Sequence, residues 1–150
     1  MKKQSGGAKP EDQIQQVSKL LLDVLKAAID STARQASELG LRPPQVMFIL
    51  GLHDEGRLSM REVSRKMDVH PAVLTRQMDR LVDKGLIERT RDDADRRLVY
   101  VSLTKQGIKT AEEVLAFYNS RIEEALYGVG PAEKETLRRV LTLMKERLPE

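Results

Sequence analysis

The sequence predicts a mainly α-helical protein that carries one small β-hairpin. Its 150 residues suit one compact domain. Aromatic residues make up 3% of the chain and Trp is absent, so aliphatic side chains and Met must fill the core. This composition favours helices over packed sheets. Apolar residues recur at three- and four-residue steps through most of the chain and alternate only between about residues 86 and 103.

The first predicted helix spans about residues 11–39. Its apolar face contains Ile14, Val17, Leu21, Val24, Leu25, Ala28 and Thr32. Leu20, Leu22 and Ile29 widen this face beyond what one neighbouring helix can cover, and a subunit interface is one candidate for the second partner. Residues 1–10 are polar, lack the apolar segment of a secretory signal, and are predicted to form a disordered tail.

Three shorter helical segments follow. The first runs from Pro44 to about His53, with prolines at its start, where no N–H is needed. The second begins at Ser59, which can form a capping box with Glu62. The third begins at Pro71 and ends before a glycine at position 85.

Two alternating segments then predict strands at residues 86–91 and 98–103. The polar turn Asp92-Asp93-Ala94-Asp95 joins them as a hairpin. Thr104 can cap a long helix, and a break at residues 128–131 precedes the last helix, which ends near Leu148. Two short helices separated by a turn, with a hairpin directly behind, are typical of a winged helix-turn-helix.

The helix that starts at Pro71 has the pattern of a recognition helix. Leu74, Met78 and Leu81 form one inward stripe at 100° per residue, while small or polar residues lead the outward side. Arg76 can bind guanine in bidentate fashion, a contact worth ~1–3 kcal/mol of discrimination. An ordinary amphipathic helix would explain the stripe, but not the small leading residues or the hairpin.

The tip of the hairpin supplies a second candidate contact, because arginines at a wing tip can enter the narrow minor groove. Asp95 would be repelled by phosphate, so we expect it to hold a neighbouring arginine; a merely solvated tip is the alternative. Ala72 and Val73 can touch thymine methyl groups, Arg80 can contact a phosphate, and His70 can contact a phosphate or cap the helix. The expected DNA-binding residues are Ser59, Arg61, His70, Pro71, Ala72, Val73, Thr75, Arg76, Arg80, Asp95, Arg96 and Arg97.

Charge and composition narrow the class of function. Residues 57–109 contain 13 Lys or Arg against 8 Asp or Glu, whereas the two flanks together are slightly acidic. A basic middle is the electrostatic footprint of a surface that meets a polyanion. The absence of cysteine excludes disulfides, thiolate metal sites and thiol redox switching.

The sequence contains no arrangement typical of an enzyme. His70 has no nearby second histidine or nucleophile, and neither a glycine-rich phosphate loop nor a metal-ligand cluster is present. We therefore expect no catalysis, no cofactor and no metal. No apolar stretch approaches the ~18 residues of a membrane span, which predicts a cytoplasmic protein that associates with the nucleoid when bound to DNA.

Nearly the whole chain resembles the MarR (multiple-antibiotic-resistance regulator) family. The similar segments are residues 41–46, residues 74–89, the wing signature Asp95-Arg96-Arg97 and the junction at 102–107. Arg42 stands where Thr is common. Ala94 stands at the wing where a further arginine is common, so fewer minor-groove contacts of the wing are expected. The resemblance implies one domain over 11–150, with dimerisation helices at 11–39 and 104–148 around a winged helix-turn-helix at 44–103.

The resemblance also implies a homodimer on a pseudo-palindromic operator, with recognition helices about 34 Å apart. It implies release from DNA by a small aromatic or lipophilic effector bound between the dimerisation helices and the DNA-binding lobe. Met47, Phe48 and His53 lie in the bordering segments, although the first two suit a core and His53 a helix end. A repressor is the leading hypothesis. The alternatives are an activator or anti-silencer, and a scaffold that binds protein, which would expose more apolar surface.

Overall fold

A computed structural model describes residues 10–92, 95 and 98–148 of the chain. Within these ranges lie six helices and one three-stranded antiparallel sheet of order β1-β3-β2. The elements are α1 (Pro10–Glu38), α2 (Pro43–Glu55), β1 (Leu58–Ser59), α3 (Met60–Lys66), α4 (Pro71–Asp83), β2 (Ile87–Arg91), β3 (Val99–Leu103), α5 (Lys105–Ala125) and α6 (Pro131–Arg147). The predicted fold class, mainly α with a small hairpin wing, is confirmed.

The structure corrects several predicted boundaries. Helix α1 already includes Pro10, so the last residue of the predicted tail is helical, while residues 1–9 lie outside the described part. Helix α2 begins one residue earlier than predicted and ends two residues later. Both of its prolines fit the first turn, where the backbone N–H groups have no partner within the helix. Gly56, with φ of 75°, ends this helix.

Strand β1 was absent from the sequence prediction. It has only two residues, which pair with β3 as Leu58↔Val101 and Ser59↔Tyr100. Two residues are too few for an alternating pattern, so this strand is defined only by its partner, some forty positions away in the chain. It makes the predicted hairpin a three-stranded sheet and fixes the start of α3 against that sheet.

The core lies between α2, α4, α5 and the sheet. The inward stripe predicted for α4 is confirmed, because Leu74, Met78 and Leu81 are each no more than 1% exposed. They belong to one buried cluster with Ile49 of α2 and Val114 of α5, among others. Since fully burying one such aliphatic side chain contributes about 1.5–3 kcal/mol, this stripe sets the rotation of α4 about its own axis.

The first turn of α5 packs directly on the chain that enters β2. The Thr104 N–H donates to the Leu86 carbonyl at 3.1 Å, and the Thr104 hydroxyl donates to the Gly85 carbonyl at 2.6 Å. A Cβ atom at Gly107 would lie 1.9 Å from the Leu86 carbonyl oxygen. The junction predicted at residues 102–107 therefore requires glycine at its last position.

We expect Gly107→Ala to lower the free energy of unfolding by about 3 kcal/mol, because the added methyl group meets backbone that cannot move aside. Gly51→Ala in α2 is the matched control, since its Cβ would meet only the flexible end of Met67, at 3.3 Å. The control should change stability by less than about 1 kcal/mol. Denaturant unfolding followed by circular dichroism measures both; equal effects would contradict the close contact at Leu86.

Candidate nucleic-acid interface

The N-terminal half of α4 presents small and polar side chains to solvent. Ala72, Val73, Thr75 and Arg76 are all exposed, as the sequence predicted from the buried stripe behind them. His70 is the N-cap residue, and its Nδ1 accepts a hydrogen bond from the Ala72 N–H at 3.3 Å. Capping was one of the two roles expected for His70, and its contact with a phosphate stays a prediction.

Arginines around α4 remain available to an anion. Arg76 and Arg61 are exposed and Arg80 is half-buried. No ion pair joins any of these three to a carboxylate in the described ranges. Guanidinium groups that have no ion pair and lie on solvent-facing helices suit contacts with phosphates and with base edges.

Arg89, by contrast, is bound to other groups of the protein. Arg89 of β2 donates through Nη1 to Asp79 Oδ1 at 2.5 Å and through Nη2 to the Thr75 carbonyl at 3.3 Å. One guanidinium group thereby joins the first wing strand to α4. Nothing in the sequence indicated this contact, because ten and fourteen residues separate Arg89 from its two partners.

The start of α3 forms the capping box that the sequence predicted. The Glu62 N–H donates to Ser59 Oγ at 3.2 Å, while the Ser59 hydroxyl and Ser59 N–H both donate to Glu62 Oε2 at 2.7 Å. These hydrogen bonds, the hydroxyl first and the backbone second, hold the pKa of Glu62 below its ordinary value. The Ser59 hydroxyl proton is thus already used, while Arg61 lies exposed as the second residue of α3.

Arg57 is a candidate contact that the sequence analysis missed. Its guanidinium carbon lies 4.1 Å from the centroid of the Tyr100 ring, a cation–π arrangement that holds the side chain beside the sheet. Tyr100 reaches this place because β3 pairs with β1. Since β1 was not predicted, no signal in the sequence brought the two residues together.

The wing turn is closed by backbone hydrogen bonds. The Asp92 N–H donates to the Leu98 carbonyl at 3.0 Å, and the Leu98 N–H donates to the Asp95 carbonyl at 2.9 Å. The Asp95 N–H donates to Asp92 Oδ1 at 3.0 Å. Arg96 and Arg97 lie outside the described residues, so the predicted role of Asp95 in holding one of them stays a prediction.

A cavity of about 560 Å³ opens between α1, the start of α2 and the turn before α4. Its lining is mostly apolar and comprises Ile29, Thr32, Pro43, Pro44, Met47, Phe48, Lys66, Met67 and Val69. Met47 is 52% exposed, whereas Phe48 is 3% exposed and serves both the core and the cavity wall. His53 is not part of this lining; it lies near the end of α2, with Nδ1 3.7 Å from Asp54 Oδ1.

Two further features concern the length of the helices and the grouping of possible metal ligands. None of the helices seen in residues 10–92 and 98–148 is both long and apolar enough to cross a membrane. Across the described part of the chain, no three His, Cys, Asp or Glu side chains are grouped so that they could hold a metal ion.

A capped short helix, a turn, an outward-facing second helix and a wing behind it define a winged helix-turn-helix, the architecture of a DNA-binding regulator. The sequence profile described as "MarR family" matches residues 41–99. The transcriptional repressor MdtR of Bacillus subtilis is 36% identical over 109 residues, which cover 72% of this chain and 70% of MdtR.

Solved structures agree with this assignment. The YusO protein from Bacillus subtilis is 28% identical with a TM-score of 0.73, covering 93% of this chain and 100% of that one. FabT of Streptococcus pneumoniae in complex with DNA shares the fold, with a TM-score of 0.78 at 20% identity, covering 89% of this chain and 95% of that one. The chain belongs to the MarR family of winged helix-turn-helix transcriptional regulators. Membership confirms the expectation of a DNA-binding regulator rather than an enzyme.

The lowered pKa of Glu62 predicts a pH-dependent contribution to stability. A carboxyl group whose pKa falls on folding stabilises the protein above its unfolded pKa and loses that contribution as the pH falls through the folded value. We expect Glu62→Gln to lower the melting temperature at pH 7 and to have a progressively smaller effect as the pH falls below the ordinary pKa of glutamate. In a Ser59→Ala background the pH-dependent part should shrink, because the hydroxyl is the largest cause of the shift; a difference independent of pH would contradict this origin.

Proposed function

We propose that the protein is a homodimeric transcriptional repressor that binds a pseudo-palindromic operator and leaves it when a small lipophilic or aromatic ligand binds. The observation that carries the DNA-binding part is the orientation of α4. Its apolar stripe is buried, and its small residues and Arg76 point into solvent. Such a helix can enter the major groove without steric conflict near the bases. We place its action in the cytoplasm, at the nucleoid when it is bound to DNA.

We propose distinct roles for the DNA-binding residues expected from the sequence. Ala72, Val73, Thr75 and Arg76 face the bases, while Arg61, Arg80 and the N-terminal end of α4 at His70 and Pro71 meet the backbone. Ser59 positions α3, and Asp95, Arg96 and Arg97 form the wing contact. FabT, a protein of the same fold, has been solved in complex with DNA, which supports DNA as the partner.

The proposed dimer is supported by apolar surface that a single chain leaves uncovered. Ile14, Leu20, Leu22, Val24 and Ile29 of α1 are each at least 64% exposed. Helix α6 has no buried residue along its length, and its apolar side chains Val140 and Leu141 are exposed. Apolar patches of this extent mark interaction sites, and a two-fold pair of chains would cover both helices and present α4 twice.

The proposed ligand site is the 560 Å³ cavity that Met47 and Phe48 help to line. Its size and apolar lining suit a small lipophilic or aromatic compound. Lys66 at its edge forms an ion pair with Glu55 at 2.7 Å, so an acidic ligand would have to displace that carboxylate to reach this cation. Release requires only that the ligand prefer a dimer whose α4 helices are wrongly spaced for the operator.

Repression is favoured over activation by the similarity to MdtR, which is named a transcriptional repressor. An activator or anti-silencer would use the same DNA contacts. A protein-binding scaffold would have an apolar outward face on α4, but the residues on that face are mostly small, polar or charged.

Selection of bound fragments from the organism's own DNA tests the proposal, followed by a salt titration on the selected sequence. Affinity should fall steeply as salt rises, because the bound arginines and lysines release counterions from DNA. Failure to enrich any sequence, or an affinity for the best partner that barely changes with salt, would favour the scaffold.

Arg76→Ala should reduce affinity for the selected operator by about tenfold and relax the preference at one base pair in each half-site. A bidentate arginine–guanine contact contributes ~1–3 kcal/mol of discrimination. Titration of the operator and its single-base variants by fluorescence anisotropy measures both effects. An equal loss on every duplex would mean that Arg76 contacts only the backbone.

Leu25→Glu should convert the dimer to a monomer, because the buried face of a subunit interface does not accept an unpaired carboxylate. Leu25 is 50% exposed in the single chain, so the monomer should keep its fold. Lys19→Glu is the control, about 120° away around α1 on its polar side. Light scattering after size exclusion gives the mass of each variant; a dimer that tolerates Leu25→Glu would exclude this face from the interface.

A further inference from the structure

The ion pair between Arg89 of β2 and Asp79 of α4 occupies a carboxylate on the helix that is proposed to face DNA. Asp79 is 52% exposed and follows Arg76 by three positions. Residues three apart on a helix are surface neighbours, so Asp79 is a natural ion-pair partner for Arg76. In the structure Asp79 is instead bonded to Arg89, and no described carboxylate forms an ion pair with Arg76.

A second hydrogen bond holds the Arg89 side chain in the position where it pairs with Asp79. Its side chain is 30% exposed, and its second nitrogen donates to the Thr75 carbonyl. The fork geometry of a guanidinium group lets one side chain bind both acceptors at once. The Thr75 carbonyl is held in place by the backbone of α4, and the Thr75 hydroxyl donates to the Pro71 carbonyl at 2.9 Å.

We propose that Arg89 is a positioning residue for base readout: it holds Asp79 away from Arg76, so that Arg76 stays free to contact a base. Arg89 acts through Asp79 rather than by touching DNA. The inference rests on the proposed function, in particular on the role of Arg76. It assigns specificity to a residue of the wing strand that faces the protein.

The alternative is that Arg89 simply adds positive charge near the phosphates. A direct phosphate contact would make its removal costly on every sequence and would reduce the salt slope by about 0.9. Under our proposal Arg89 and Asp79 form a nearly neutral pair. Loss of Arg89 is then harmful because Asp79 captures Arg76, and its effect depends on the base that Arg76 reads.

The test is a mutant cycle on a duplex carrying the consensus that wild-type protein selects from random DNA. Arg89→Ala should lower operator affinity about tenfold and remove most of the discrimination at the position read by Arg76. The double variant Arg89→Ala/Asp79→Ala should return to within about threefold of wild type, because no carboxylate is left to capture Arg76. Arg89→Lys, which keeps one cation for Asp79, should recover most of the discrimination.

A second cycle tests the link to Arg76 directly. The tenfold penalty of Arg76→Ala should largely disappear in the Arg89→Ala background, because Arg76 is already disengaged there. Arg91→Ala is the matched control: it removes the same charge two residues further along β2, and Arg91 has no ion pair among the described residues. Its effect should be independent of Asp79. Circular dichroism melts verify that each variant is folded.

The outcomes distinguish a failure of the proposed function from a failure of the positioning role of Arg89. If wild-type protein selects no consensus, the proposed function fails. If a consensus emerges but Arg89→Ala stays equally weak after Asp79 is removed, or loses affinity equally on all sequences, the positioning role is overturned and the proposed function stands.

Discussion

The burial of one stripe on α4 governs the rest of the molecule. Leu74, Met78 and Leu81 pack into the cluster that α2, α5 and the sheet share, and this fixes which side of the helix meets solvent. Rotating α4 by one residue would expose three large apolar side chains at about 1.5–3 kcal/mol each. The outward residues are therefore presented by the core, although they contribute little to it.

Polar interactions then adjust what the core presents. The His70 cap and the capping box of Ser59 and Glu62 set where α4 and α3 begin. The bridge from Arg89 to Asp79 and Thr75 joins α4 to the wing strand. Exposed ion pairs of this kind contribute little to stability, so their significance lies in which arginines remain free to meet an anion.

The single chain consists of a well-packed lobe and of helices whose apolar side chains it leaves exposed. The winged region contains most of the buried apolar residues, whereas α1 and α6 leave most of their large aliphatic side chains in solvent. This division explains why a chain with such a thin core carries such long helices. It also places the 560 Å³ cavity at the junction of the two parts, where α1 meets the start of α2.

The sequence by itself determined the helices, the hairpin, the buried stripe of α4 and the family, because each depends on periodicity, caps and turn residues close together in the chain. Only the tertiary structure decided what distant residues do to one another. Strand β1 exists because β3 pairs with it, and Gly107 is required because its Cβ would collide with the Leu86 carbonyl. Arg89 forms an ion pair with Asp79 because β2 passes beside α4. Such contacts leave no periodic trace in a single sequence, since the packing of whole elements, and not local spacing, brings the partners together.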